Sequence, residues 1–160
     1  MSQLKSILLW WGEAVRLASQ PGKSGMHRNR GIESAGKPHG GPQKIAKAWV
    51  QFNRLPMGAS ERQSHMQVLD VVDDIIQRDA DGGWEFIEAV RQMDVDAPLL
   101  SNLAAGPLED YLVAHGEAEI ERLESLAKQD ASFRELLGRT WKNSMSDEVW
   151  RRVQRAARSG

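Results

Sequence analysis

The sequence predicts an all-α domain, and three observations carry that expectation. From Ile45 onward the apolar residues recur at intervals of three and four, the spacing of one face of a helix. The segments so defined are separated by residues that stop or start helices, among them Pro56, Gly106-Pro107, Gly138 and Ser146. No stretch alternates with period two: the run Val68–Ile76 is interrupted by Asp70, Asp73 and Asp74, which suit a helix face and not a strand. The expected architecture is a compact array or orthogonal bundle of about six or seven short helices. Stacked helix pairs are one way to arrange them, and an N-terminal amphipathic helix precedes them.

Each element has its own warrant. Leu4, Ile7, Leu8, Trp11, Ala14, Val15 and Ala18 form a single apolar stripe over residues 1–20. From Pro21 to Pro42 there are six of the fourteen Gly and three of the six Pro, with Met26 and Ile32 as the only large apolar residues, so the reading is a flexible basic linker. The body is assigned to residues 43–158. Its first helix carries Ile45, Ala48, Trp49, Phe52 and Leu55 and ends at Pro56. Ser60 and Gln63 have the spacing of a capping box ahead of a helix burying Met66, Leu69, Val72 and Ile76. Asp81 is the expected cap of a third helix that turns Trp84, Ile87, Val90 and Met93 inward.

Pro98 opens a helix through Leu99, Leu100 and Leu103. Gly106-Pro107 is expected to be a corner that ends it and starts another, with Glu109 and Asp110 in the new first turn and His115-Gly116 at its far end. Ile120, Leu123, Leu126 and Ala127 continue the apolar surface, and Phe133, Leu136 and Leu137 make a short helix stopped by Gly138. Ser146 caps a last helix with Val149, Trp150, Val153 and Ala157. At least three of Trp49, Trp84, Trp141 and Trp150 are expected in the core.

Composition narrows the chemistry. The chain of 160 residues contains no cysteine, so it has no disulfide, thiol nucleophile or Cys-ligated metal. Its 21 Lys and Arg nearly balance 22 Asp and Glu, but unevenly. Residues 1–60 hold nine basic and two acidic residues, residues 61–148 eight and twenty, and the last twelve residues four Arg and no acid. Lys23, Arg28, Arg30 and Lys37, with Arg151, Arg152, Arg155 and Arg158, offer phosphate contacts, but the acidic body repels a duplex and no basic recognition helix stands out. No specific nucleic-acid partner is expected. The apolar run Ile7–Trp11 is too short for a membrane span, and Glu13 and Arg16 continue it as a helix, which points to a cytoplasmic protein.

Motifs for catalysis are sparse. Gly22-Lys23-Ser24 lacks the earlier glycine of a phosphate loop, with Leu17 in its place, and no Gly-x-Ser-x-Gly elbow is present. Asp70 with Asp74, and His115 with Glu119, stand four apart, yet no Glu-x-x-His motif accompanies them, so neither metal nor cofactor is expected. Glu109 and His115 are the candidate acid–base pair, although six positions put them about 240° apart around a helix. The structural alternative makes Glu109 a first-turn acid, or the partner of Arg134 or Arg139, and His115 a donor to a carbonyl. An enzyme would need Glu109, Tyr111, His115 and Arg134 to converge in one polar cleft.

One segment resembles a known family. Leu103-Ala104-Ala105-Gly106-Pro107-Leu108-Glu109-Asp110, then His115-Gly116, Phe133-Arg134 with Leu136-Leu137-Gly138, Trp141, and Ser146-Asp147-Glu148-Val149-Trp150 are similar to a bacterial family catalogued only as a domain of unknown function. Trp49, Phe52 and Leu55 and the run Trp84–Ile87 also resemble it, so the likeness spans about Ile45 to Ala157. The resemblance implies a small helical bacterial domain with Gly106, Pro107, Glu109, His115, Gly116, Trp141 and Trp150 as motif residues. It implies no activity.

The leading expectation is therefore a non-catalytic interaction or accessory module. Its contact surface would be Leu4, Ile7, Leu8, Trp11 and Val15, which need a cover from the same chain, a partner protein or a second copy. Deleting residues 1–42 is expected to leave a folded body and to abolish self-association or partner capture. Light scattering and pull-down of both chains check this, and identical mass and identical partners would refute it.

Overall fold

In the computed structural model, which describes residues 41–159, the chain is helical almost throughout. The segments are α1 (Pro42–Arg54), α2 (Ser60–His65), α3 (Gln67–Arg78), α4 (Ala80–Arg91), α5 (Ala97–Leu103), a π turn (Ala104–Leu108), α6 (Glu109–Gln129), α7 (Ala131–Leu137) and α8 (Asp147–Arg158). There is no strand among the described residues. The fold is an all-α bundle of short helices. The apolar stripe at Leu4–Val15 and the basic residues Lys23–Lys37 lie outside the described residues.

Two packing groups share one core. The helices α1, α3 and α4 pack on one another, while α6, α7 and α8 form the second group, and α6 also touches α3 and α4. Trp49 of α1 meets Phe86 of α4 edge to face, with ring centroids 6.0 Å apart. Trp84 is half-buried between Tyr111 (5.8 Å) and Phe133 (5.6 Å), tying α4 to α6 and α7. Each fully buried aromatic or branched aliphatic side chain contributes roughly 2–3 kcal/mol. At Gly116 the backbone of α6 comes so close to α8 that a Cβ would lie 2.8 Å from Val149 Cγ1. A stiff β-branched neighbour cannot yield there, so only glycine fits.

The Gly106-Pro107 corner does not exist. Backbone angles stay in the right-handed helical region through Leu103 (φ −63°, ψ −41°), Ala104 (−68°, −49°), Leu108 (−71°, −39°) and Glu109 (−63°, −47°). One helical path therefore runs from Ala97 to Gln129. Proline inside an α-helix has no N–H to donate and its ring strikes the carbonyl four residues back. The π turn widens the path by one residue and removes both problems. His115-Gly116 is accordingly no helix end; both residues sit mid-helix, and α6 stops at Asp130.

Local signals were misplaced by a few residues elsewhere. Ser60 and Gln63 form no capping box: Ala59 is the N-cap, and the Ser60 hydroxyl turns to Glu61. Met66 is exposed at the bend between α2 and α3 instead of buried. Asp79, not Asp81, caps α4 by accepting the Gly82 amide at 3.0 Å. Pro42, counted with the linker, is the first residue of α1. The caps at Asp96, Asp130 and Ser146 accept first-turn amides of α5, α7 and α8. Replacing Asp79 by Ala should cost about 1 kcal/mol in urea unfolding, while Asp81→Ala should change stability by less than about 0.5 kcal/mol.

Candidate functional site

The motif residues of α6 lie at its first residue and in its interior, where the helix meets the loop before α8, the end of α3 and α8 itself. Glu109 follows the π turn and is buried at 8% exposure. Its Oε2 accepts the backbone N–H of Trp141 at 3.2 Å, so this carboxylate anchors the loop from Gly138 to Ser146. Burial raises the Glu109 pKa, while the Trp141 amide and the Asn143 side chain act in the opposite direction. It holds neither Arg134 nor Arg139 and does not cap its own helix. Asn143 turns the loop with a positive φ of 41°, and Met145 plugs it into the core. Lys142 pairs with Asp147 across the loop's end.

His115 is half-buried, and its Nε2 lies 2.8 Å from the carbonyl of Ile76. A carbonyl only accepts, so that nitrogen carries a proton. Ile76 lies in the last turn of α3, where carbonyls lack partners within the helix. His115 thus donates to a carbonyl as expected, but to the end of a neighbouring helix and not of its own. Its ring also stacks at a tilt on Tyr111, 5.1 Å away.

The four residues of the proposed polar cleft do not converge. Tyr111 is fully buried, its hydroxyl accepting from Arg122 at 3.0 Å. Burial foremost, then Glu119, raises its pKa, with Arg122 opposing. Arg134 donates to the Ala127 carbonyl at 2.7 Å, closing the far end of α6. At 1.5 Å per residue that is roughly 27 Å from Glu109. The suggested metal pairs are also engaged elsewhere: Asp74 with Arg78 at 2.8 Å and Glu119 with Arg122 at 2.6 Å. No group of three or more metal-binding side chains occurs among the described residues.

What lies open is a face on the outside of α6. Of the four tryptophans in the body, Trp49 is buried and Trp84 and Trp150 are half-buried, whereas Trp141 is 58% exposed. Its amide is fixed by Glu109, one turn before Val113, which is 37% exposed. A cleft of about 390 Å³ runs between α6 and the loop, lined by Val113, Ala114, Ala118, Ser144 and Ser146, with Val149 also lining it. Asp110 borders this face. Burial, then Glu109, then Asp73 push its pKa up to about 7. Sequence reasoning missed Asp110, whose only signal was its place three residues before Val113 next to a second acid.

The Asp110 shift sets a pH dependence of stability. Between its ordinary value of 3.8 and about 7 the folded chain keeps a proton that the unfolded chain releases. Stability therefore falls as pH rises through that window and levels off above it. Asp110→Asn should flatten this slope and stabilise the fold above the window by on the order of 2–4 kcal/mol. Urea unfolding across the pH range measures both effects, and an unchanged slope would contradict the assignment.

No helix among the described residues is long and apolar enough to cross a membrane. No curated protein and no solved structure matches the chain. Residues 57–160 match a family of unknown function. That match begins after α1, so Trp49, Phe52 and Leu55 fall outside it. With α2 to α8 all inside the matched residues, the chain belongs to the family of unknown function DUF6869.

Proposed function

We propose that this protein is a non-catalytic interaction module of the bacterial cytoplasm, and that it binds a protein partner through Trp141 and the outward face of α6. The observation that carries the reading is the exposure of Trp141, 58% accessible although its backbone is pinned by a buried carboxylate. An exposed indole on a backbone that is already fixed has less chain freedom to lose on binding, and tryptophan is enriched at the energetic centres of interfaces. Glu109, Tyr111, His115 and Arg134 support the same reading, since each is committed to a bond that holds the bundle together. The stripe Leu4, Ile7, Leu8, Trp11 and Val15 is a second proposed contact surface, for a partner or for another copy of the chain.

The test is site-specific photo-crosslinking in a bacterial host. A photoreactive residue replaces Trp141, Val113 or, as a control on the same helix, the exposed Ser125. The same discrete adduct should form from positions 141 and 113 and not from 125. It should disappear from position 113 when Trp141→Ser is added. Adducts that are absent, or identical at all three positions, would refute the reading.

A further inference from the structure

We propose that Asn143 is a site of spontaneous deamidation, and that the aspartate or isoaspartate formed there unfastens the loop carrying Trp141; the inference stands apart from the interaction reading. Asn143 and Ser144 form a turn in that loop, and both are exposed. Among the described residues nothing accepts the Ser144 amide, whereas the Met145 amide beside it donates to the Lys142 carbonyl at 3.0 Å. Deamidation is an attack by the amide nitrogen of the next residue on the asparagine side chain, so a free amide on a small, exposed neighbour is what the reaction needs. The Ser144 hydroxyl donates to Asn143 Oδ1 at 3.2 Å, the oxygen that takes up negative charge as the attack proceeds. The two other asparagines among the described residues are held differently. Asn53 donates to the Trp49 carbonyl at 2.9 Å and Asn102 to Asn53 Oδ1 at 3.3 Å, and the residue after each is helical.

The Ser144 nitrogen loses its proton to water and bonds to Asn143 Cγ, closing a cyclic imide. The Cγ–Nδ2 bond breaks, and Nδ2 takes a proton from water and leaves as ammonia. A water molecule then opens the ring at either carbonyl. The product is aspartate or, with the main chain rerouted through the side chain, isoaspartate; nothing is oxidised or reduced. Either product adds a negative charge and replaces an amide donor by a carboxylate that only accepts. The change falls beside Glu109, which is buried and whose charged form the Asn143 side chain favours. Two carboxylates at one site cannot both stay ionised without cost. Glu109 then takes up a proton or turns away, and either weakens the bond that it accepts from the Trp141 amide. Isoaspartate also lengthens the main chain at the residue whose φ is 41°.

The experiment incubates the full-length protein in warm, mildly alkaline buffer and maps the gain of about 1 Da by peptide mass spectrometry. Conversion at Asn143 should run at least about tenfold faster than at Asn53 or Asn102, where a helix must open first, and should quicken as pH rises. Ser144→Ala, at an exposed position, should slow it several-fold. In parallel, hydrogen exchange compares the starting protein with Asn143→Asp. The Trp141 amide should exchange about tenfold faster in the variant, the loss of one charge-assisted bond, while the amide of core Leu123 keeps its protection. Asn143→Gly suits a positive φ and has no side-chain amide to lose, so its Trp141 exchange should not change on incubation. Conversion at Asn143 no faster than at the helical asparagines overturns the inference. So does unchanged Trp141 exchange in Asn143→Asp, or equal acceleration at Trp141 and Leu123.

Discussion

Pro107 inside an unbroken helical path is the constraint on which the C-terminal half of the bundle depends. A proline there forces a choice between a break and a widened turn, and the chain takes the widened turn. One extra residue in the π turn rotates everything after it by about 100° relative to a continuous α-helix. In the observed register Tyr111, Leu112, Ile120 and Leu123 enter the core, and Gly116 meets Val149. The same register points His115 at the end of α3 and Glu109 at the loop before α8. A true α-helical register would turn that set away from its partners.

A second theme is how the helix ends are closed. Three C-termini are satisfied by side chains from elsewhere in the chain. Arg62 donates to the Phe52 and Leu55 carbonyls at the end of α1, His115 to Ile76 in α3, and Arg134 to Ala127 in α6. Unpaired carbonyls at buried helix ends cost free energy, and these donors remove that cost while linking one helix to the next. Arg91 does comparable work from α4, reaching Asp130 at 2.5 Å and lying over the Phe133 ring at 5.0 Å. The polar residues most suggestive of chemistry are thus largely fastenings between short helices. Trp141, exposed on a loop that Glu109 holds, has no such fastening task among the described residues.

The elements themselves were legible. Three-and-four spacing located the helices around Trp49, Val72, Ile87, Phe133 and Val153 because burying one face is what makes such short helices stable. Ser146 and Gly138 were read correctly as cap and stop, since their neighbours leave them no competing role. The candidate site was less legible. Glu109 and His115 were singled out as residues, yet their partners are the Trp141 amide and the Ile76 carbonyl, backbone groups that no side-chain motif advertises.

The sequence by itself determined the helical class, the apolar faces and most of the stops, because periodicity and capping act within a few residues. Only the tertiary structure decided whether Gly106-Pro107 would break the chain, since local preference permits both a corner and a π turn and packing chooses between them. It also decided which aspartate caps α4 and which tryptophan stays outside. Asp79 and Asp81 are equivalent as donors of a carboxylate until the helix start is placed. Trp141 is as apolar as Trp49, and its exposure follows from a loop whose position is set by a hydrogen bond spanning 32 residues of sequence.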